Sequence, residues 1–217
     1  MFIVIEGLDG SGKTTQAKLL HEALLKRGHN PLSVREPGST PIGEQIRAVL
    51  HDGRNAGMTA KCETLLYAAA RAQLMEKTVI PTLKMGRTVI CDRYVPSSIA
   101  YQGYGRDMAG NSDADIYTIN GFATGYKYQP DAIIYLNVPA EDALRRRTQA
   151  GDVNRMDKEP LAFHRRVAAG YACASQDTLH GFGDVWHDVD GAGNVDEVHG
   201  RVMAVVDRLF EGIPHVV

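Results

Sequence analysis

Gly7-Leu8-Asp9-Gly10-Ser11-Gly12-Lys13-Thr14 fits the pattern G-x-x-x-x-G-K-[ST]. It joins an apolar run, Phe2-Ile3-Val4-Ile5, to a segment with helical periodicity. The pattern needs that context, because it is a strand-to-helix turn whose backbone N–H groups converge on an anion. Glycines let the main chain approach phosphate closely, and the helix N-terminus adds a partial positive charge. Lys13 is expected to reach the β- and γ-phosphates of a nucleotide, and the Thr14 hydroxyl to ligate Mg²⁺. Gly7, Asp9, Gly10, Ser11, Gly12 and Thr15 complete the expected phosphate cradle.

Short β-branched runs alternate with longer helical segments through the rest of the chain, which predicts crossover units and a mainly parallel sheet. Strands are expected at 2–6, 31–35, 88–92, 132–137 and 185–188. Helices are expected at 13–27, closed by Gly28; at 42–50; at 62–85, kinked by Pro81 and closed by Gly86; and at 140–147, 161–179 and 195–210. This is an α/β chain with five parallel strands wrapped by helices. Its 217 residues suit one such domain, with a polar, charge-dense loop at 148–160. Ligands of such sheets bind at the carboxyl ends of the strands.

A net charge of −2 gives no global field for a nucleic-acid polymer, so an anionic ligand must be held by local arginines and lysines. No apolar run reaches the length of a membrane span and no secretory leader is read, which points to a cytoplasmic protein. Cys62, Cys91 and Cys173 lack metal-ligand spacing and are expected to be reduced and mostly buried.

The third apolar run ends in Cys91-Asp92-Arg93. An acid at that strand end suits Mg²⁺, held directly or through water, and the neighbouring guanidinium suits a phosphate. From there the segment Asp92-Arg93-Tyr94-Val95-Pro96-Ser97-Ser98-Ile99-Ala100-Tyr101-Gln102-Gly103 resembles the D-R-[YH]-x-x-S-[ST]-x-A-Y-Q-G segment of bacterial-type thymidylate kinases. Arg35-Glu36-Pro37-Gly38-Ser39-Thr40 is similar to their R-E-P-G-G-T, with Ser39 in place of a glycine, and the glycine loop matches almost letter for letter.

The resemblance implies a nucleoside monophosphate kinase, usually homodimeric, that uses ATP and dTMP with Mg²⁺. It implies that Asp9 accepts from the sugar 3′-hydroxyl, that Arg93 holds the 5′-phosphate, and that Tyr101 crowds the 2′ position. Ser97, Ser98 and Gln102 are expected to line the pocket, although Ser97 would serve equally well as a helix cap. Arg35, Glu36, Pro37 and Arg47 lie in segments that approach it. Tyr67 and Arg71 are four apart on one helix face. They resemble the family's aromatic-x-x-x-Arg element, in which the ring stacks on thymine and the arginine bonds its exocyclic oxygen. The family most often has Phe at the position of Tyr67, and the extra hydroxyl bears on base preference.

Arg145-Arg146-Arg147 and the following loop resemble the family's lid, with Arg155 at its signature arginine. Consecutive arginines on a helix point about 100° apart, so at least one of the three is expected to be solvated or paired with an acid. Asn154 and Asp157 replace the family's Asp and Glu, and Thr148, Gln149 and Ala150 stand where basic residues are often found. Gly10 stands where another subgroup carries Arg, so a lid arginine is expected to supply the charge, and Arg155 is the expected one. The rival enzymatic reading is a kinase for dUMP or a 5-modified dUMP. A guanine-reading switch would need N-K-x-D after a central strand, where this chain has Asn137-Val138-Pro139-Ala140.

Overall fold

The computed structural model describes residues 1–151 and 154–211. All five expected strands form: β1 (Phe2–Gly7), β2 (Leu32–Arg35), β3 (Val89–Asp92), β4 (Ala132–Asn137) and β5 (Trp186–Asp190). They pair in parallel in the order β2-β3-β1-β4-β5. Strand β1 lies at the centre and is buried throughout, as a strand covered on both faces must be. Its side chains alternate between two cores. Phe2 and Val4 pack with Leu74, Val79 and Tyr94 on one face, while Ile3 and Ile5 pack with Leu20, Leu24 and Val202 on the other. The registers Ile5↔Asp92 and Gly7↔Leu136 bring the glycine loop and Asp92 to the same sheet edge.

The helices are α1 (Lys13–Lys26), α2 (Pro41–His51), α3 (Ala60–Leu74), α4 (Ile80–Lys84), α5 (Val95–Ser98), α6 (Ala109–Thr124), α7 (Ala140–Gln149), α8 (Leu161–Ala174) and α9 (Val195–Glu211). The helix expected over 62–85 is α3 and α4 joined by a π-helical turn, Met75–Val79. The wider turn precedes Pro81, which has no N–H and whose ring would strike the carbonyl four residues back. Helix α8 ends at Ala174, short of the expected 179, and the Asp177 carboxylate then accepts from the backbone N–H of His180.

Sequence reading missed α5, the π-helical turn Ile99–Gly105 that continues it, and α6. The opening of α6, Ala109-Gly110-Asn111-Ser112-Asp113, is poor in helix formers. The cysteine expectation needs correction: Cys91 is buried in β3, but Cys62 and Cys173 are exposed on α3 and α8. No helix among the described residues is long and apolar enough to cross a membrane.

Candidate active site

The carboxyl edge of the sheet opens into a cavity of about 520 Å³. Its floor is the glycine loop. Gly12 has φ +99° and delivers the chain directly into α1, a conformation that side chains resist. Gly10, at φ +87°, lies so close to α7 that a Cβ would stand 2.1 Å from the Ala143 carbonyl oxygen. Lys13 is buried and donates to the Leu8 carbonyl at 2.7 Å. Burial, reinforced by the Arg93 charge, brings its ammonium down to about 8. The Thr14 hydroxyl donates to Asp92 Oδ2 at 2.6 Å. The buried Ser11 hydroxyl has no partner among the described residues.

Arg93 organises the middle of the cavity. Its backbone is left-handed, with φ +76°, which is uncommon for a non-glycine residue and costs about 1–3 kcal/mol when the surroundings impose it. The surroundings here are dense. Nη1 donates to the Gly7 carbonyl (3.0 Å), the Ser97 hydroxyl (2.9 Å) and the Tyr171 hydroxyl (2.8 Å). Nη2 donates to Asp9 Oδ1 (2.7 Å) and the Tyr101 hydroxyl (3.0 Å). Burial alone would raise the Asp9 carboxyl, but Arg93 and Lys13 overcome it and hold Asp9 well below the usual range. Ser97 is therefore no helix cap: its hydroxyl donates to the buried Glu6 carboxylate at 2.7 Å.

The far end is built by α2, α3 and the π-helical turn 99–105. Tyr67 and Arg71 both line the cavity. Arg71 is fully buried, with Nε on Glu36 Oε2 (2.7 Å), Nη1 on the Ser98 hydroxyl (2.9 Å) and on Asn120, and Nη2 on the Tyr94 carbonyl (3.0 Å). Glu36 sits in the interior, where burial raises its carboxyl to about 7 against the pull of Arg71. Arg47 donates to the Pro37 carbonyl at 3.0 Å, and Arg35 to both Glu44 oxygens at 2.9 and 2.8 Å. Ser98, Tyr101 and Gln102 also face the cavity, as do Gly12, Thr14, Thr15 and Asp92. Gly7 and Ser11 belong to the loop but lie outside the lining.

The arginine cluster splits as its geometry requires. Arg145 pairs with Asp142 at 2.8 Å on the surface, whereas Arg146 and Arg147 line the cavity. Arg147 is 2.8 Å from Asp157. Arg155 does not reach the cavity. It is buried, with Nε on the Leu50 carbonyl (3.0 Å) and Nη2 on Glu63 Oε2 (2.5 Å), because a buried carboxylate one helix away claims its charge. The expectation that Arg155 faces the transferring group is thus corrected. Asp152 and Val153, also in the expected lid, lie outside the described residues.

A glycine-rich phosphate loop, an aromatic–arginine pair and a guanidinium paired with an acid line a single cavity, as the resemblance implies, although Arg155 does not. The sequence profile described as thymidylate kinase matches residues 5–202. The chain belongs to the thymidylate kinase family. Among curated thymidylate kinases, it is 43% identical to that of Pediococcus pentosaceus, over 96% of this chain and 98% of the relative. It is 39% identical to that of Caldanaerobacter subterraneus subsp. tengcongensis, over 97% of each. Against that of Roseiflexus castenholzii the identity is 38%, over 100% of this chain and 96% of the relative.

Within this family member, sequence reading missed Glu6, Tyr171, Glu63, Asn120 and His51. Glu6 carried a signal: an acid inside an otherwise apolar buried strand must be hydrogen-bonded. It accepts from the Tyr94 N–H (2.8 Å), Ser97 and Tyr171, and so anchors the start of α5. Glu63 was also legible in part, being one helical turn before Tyr67. Asn120 and Tyr171 reach the site from α6 and α8, and no local pattern announces them.

Proposed function

We propose that the protein transfers the γ-phosphoryl group of ATP to dTMP, giving ADP and dTDP. The observation that carries this is the span of one cavity from Lys13 and Thr14 through Arg93 to Tyr67 and Arg71. ATP phosphates lie on the glycine loop, the pyrimidine stacks on Tyr67, and the two nucleotides meet at Arg93. The base lies beside Arg71, whose guanidinium is shared among Glu36, Ser98, Asn120 and the Tyr94 carbonyl and meets a base oxygen only by exchanging one of these partners, and Asp9 accepts from the sugar. The acceptor is a phosphate already largely ionised at neutral pH, so in-line attack needs no strong general base. Catalysis is then positioning and charge stabilisation, supplied by Lys13 and Arg93 with Arg146 and Arg147 across the cavity.

The residues suit Mg²⁺. Thr14 Oγ1 and Asp92 Oδ2 are hard oxygen donors placed together at the loop, and the described residues hold no group of three or more His, Cys, Asp or Glu side chains fit for a metal. When bound there, the ion neutralises phosphate charge. Residues 148–160 are read as a lid over this site. The homodimer is supported by Leu65 and Phe122, large apolar side chains exposed on α3 and α6, two helices that pack on each other. Reduced cysteines and a supply of ATP and dTMP fit the cytoplasm.

A second reading rests on Tyr67, whose hydroxyl hydrogen-bonds to no described residue. A free hydroxyl beside the base suits dUMP or a 5-modified dUMP in the same frame. The transfer itself is tested with ATP labelled at the γ-phosphate: the label is expected on the β-phosphate of dTDP. Label released only as inorganic phosphate would contradict a kinase.

A further inference from the structure

The described charge network outside the phosphate machinery centres on Glu63 of α3. Its carboxylate is fully buried and accepts four hydrogen bonds. Gln102 Nε2 donates to Oε1 at 2.9 Å, and Arg106 Nε to the same oxygen at 3.2 Å. Arg106 Nη2 (3.0 Å) and Arg155 Nη2 (2.5 Å) donate to Oε2. Arg106 also reaches Glu159 Oε1 at 2.5 Å, and Arg155 the Leu50 carbonyl at 3.0 Å. Four elements therefore meet on one acid: the end of α2, the helix of Tyr67 and Arg71, the turn that carries Gln102, and the segment after α7.

Two consequences follow from what these groups can donate and accept. A carboxylate only accepts, so the Gln102 amide must turn its nitrogen to Glu63; one N–H is used there, and the carbonyl oxygen, with the second N–H beside it, is left for the cavity. Thymine presents a donor at N3 and cytosine an acceptor there, so a fixed carbonyl favours thymine. Arg155, in turn, leaves Glu63 only by giving up a buried ion pair, so the segment 154–159 is held at a set distance from the base-reading helix.

We propose that Glu63 is a positioning residue for the phosphotransfer: it fixes the Gln102 amide toward the pyrimidine and holds the lid through Arg155. Arg155 thus acts on the reaction through Glu63 and touches no reacting atom. This rests on the assignment of the cavity to dTMP.

The test compares Glu63→Gln, Arg155→Ala and the double variant by steady-state ADP release, with saturating ATP, on dTMP and on dCMP. A glutamine at 63 both donates and accepts, so Gln102 is free to turn. The dTMP-over-dCMP ratio of kcat/KM is expected to fall at least fivefold in Glu63→Gln. Arg155→Ala alone is expected to lower kcat at least tenfold while leaving that ratio within twofold. In the Glu63→Gln background the loss from Arg155→Ala is expected to shrink at least threefold. Should Glu63→Gln melt below the assay temperature, Glu63→Asp keeps the charge and withdraws the carboxylate by one methylene; a threefold fall in the ratio is then expected.

An unchanged ratio in the Glu63 variant, or an equal loss from Arg155→Ala in both backgrounds, would overturn the proposal. Full dTMP turnover in Arg93→Gln would instead remove the assignment of the cavity, and the proposal with it.

Discussion

Arg93 and Asp9 face each other across the cavity floor, with Nη2 2.7 Å from Oδ1, and Tyr101 closes the ring by donating to Asp9 Oδ2 at 2.9 Å and accepting from Arg93 at 3.0 Å. In the proposed reaction the acid keeps the guanidinium aimed at the place where two phosphates would meet. Asp9→Asn keeps the shape and removes the charge. A hydrogen bond to a charged group contributes about 1.5–3 kcal/mol, so kcat/KM for dTMP should fall roughly 10- to 100-fold. Initial rates across dTMP concentrations measure it, and an unchanged value would take Asp9 out of the site.

Gly10 and Gly12 both have positive φ, but only Gly10 is pressed against another helix. A Cβ at Gly10 would collide with the Ala143 carbonyl, while one at Gly12 would meet nothing within 4 Å. Gly12→Ala should therefore cost about 1–2 kcal/mol from the left-handed backbone alone. Gly10→Ala should cost more, because the loop must also leave α7. Thermal melting of the two variants side by side checks the order.

Tyr67 lines the cavity without a hydrogen-bond partner among the described residues. Its ring is the working part in this account. Tyr67→Phe should keep kcat/KM for dTMP within about twofold, whereas Tyr67→Ala should lose about 10- to 100-fold, since base–aromatic stacking is worth about 1–3 kcal/mol. A large loss in Tyr67→Phe would show that the hydroxyl reads the base.

His51 gives the protein an acid-sensitive spot. Burial, then the Arg47 charge, lowers its imidazole to about 4 from an ordinary 6.5. The folded state thus binds fewer protons than the unfolded chain between those values, and stability falls as pH drops through that window. His51→Asn does not titrate there. Urea unfolding at pH 7 and pH 4.5 should show the variant losing about 2 kcal/mol less than the wild type.

The strands and the phosphate loop were legible because their signals are local: continuous apolar runs bounded by turns, and eight residues whose spacing has one mechanical purpose. That Tyr67 and Arg71 share one cavity was legible for the same reason, as they are one helical turn apart. Arg155 was misplaced because its partner Glu63 lies 92 residues away, and nothing in the charge-dense loop shows which acid will claim it. Helix α6 was missed because tertiary packing on α3 holds a segment whose own propensity is weak. With it went Asn120, which completes the coordination of Arg71.

ADP release with ATP and Mg²⁺ across dTMP, dUMP, dCMP, dGMP and 5-hydroxymethyl-dUMP decides both the reaction and the substrate. The highest kcat/KM is expected for dTMP. Turnover with none of the five would rule out the kinase.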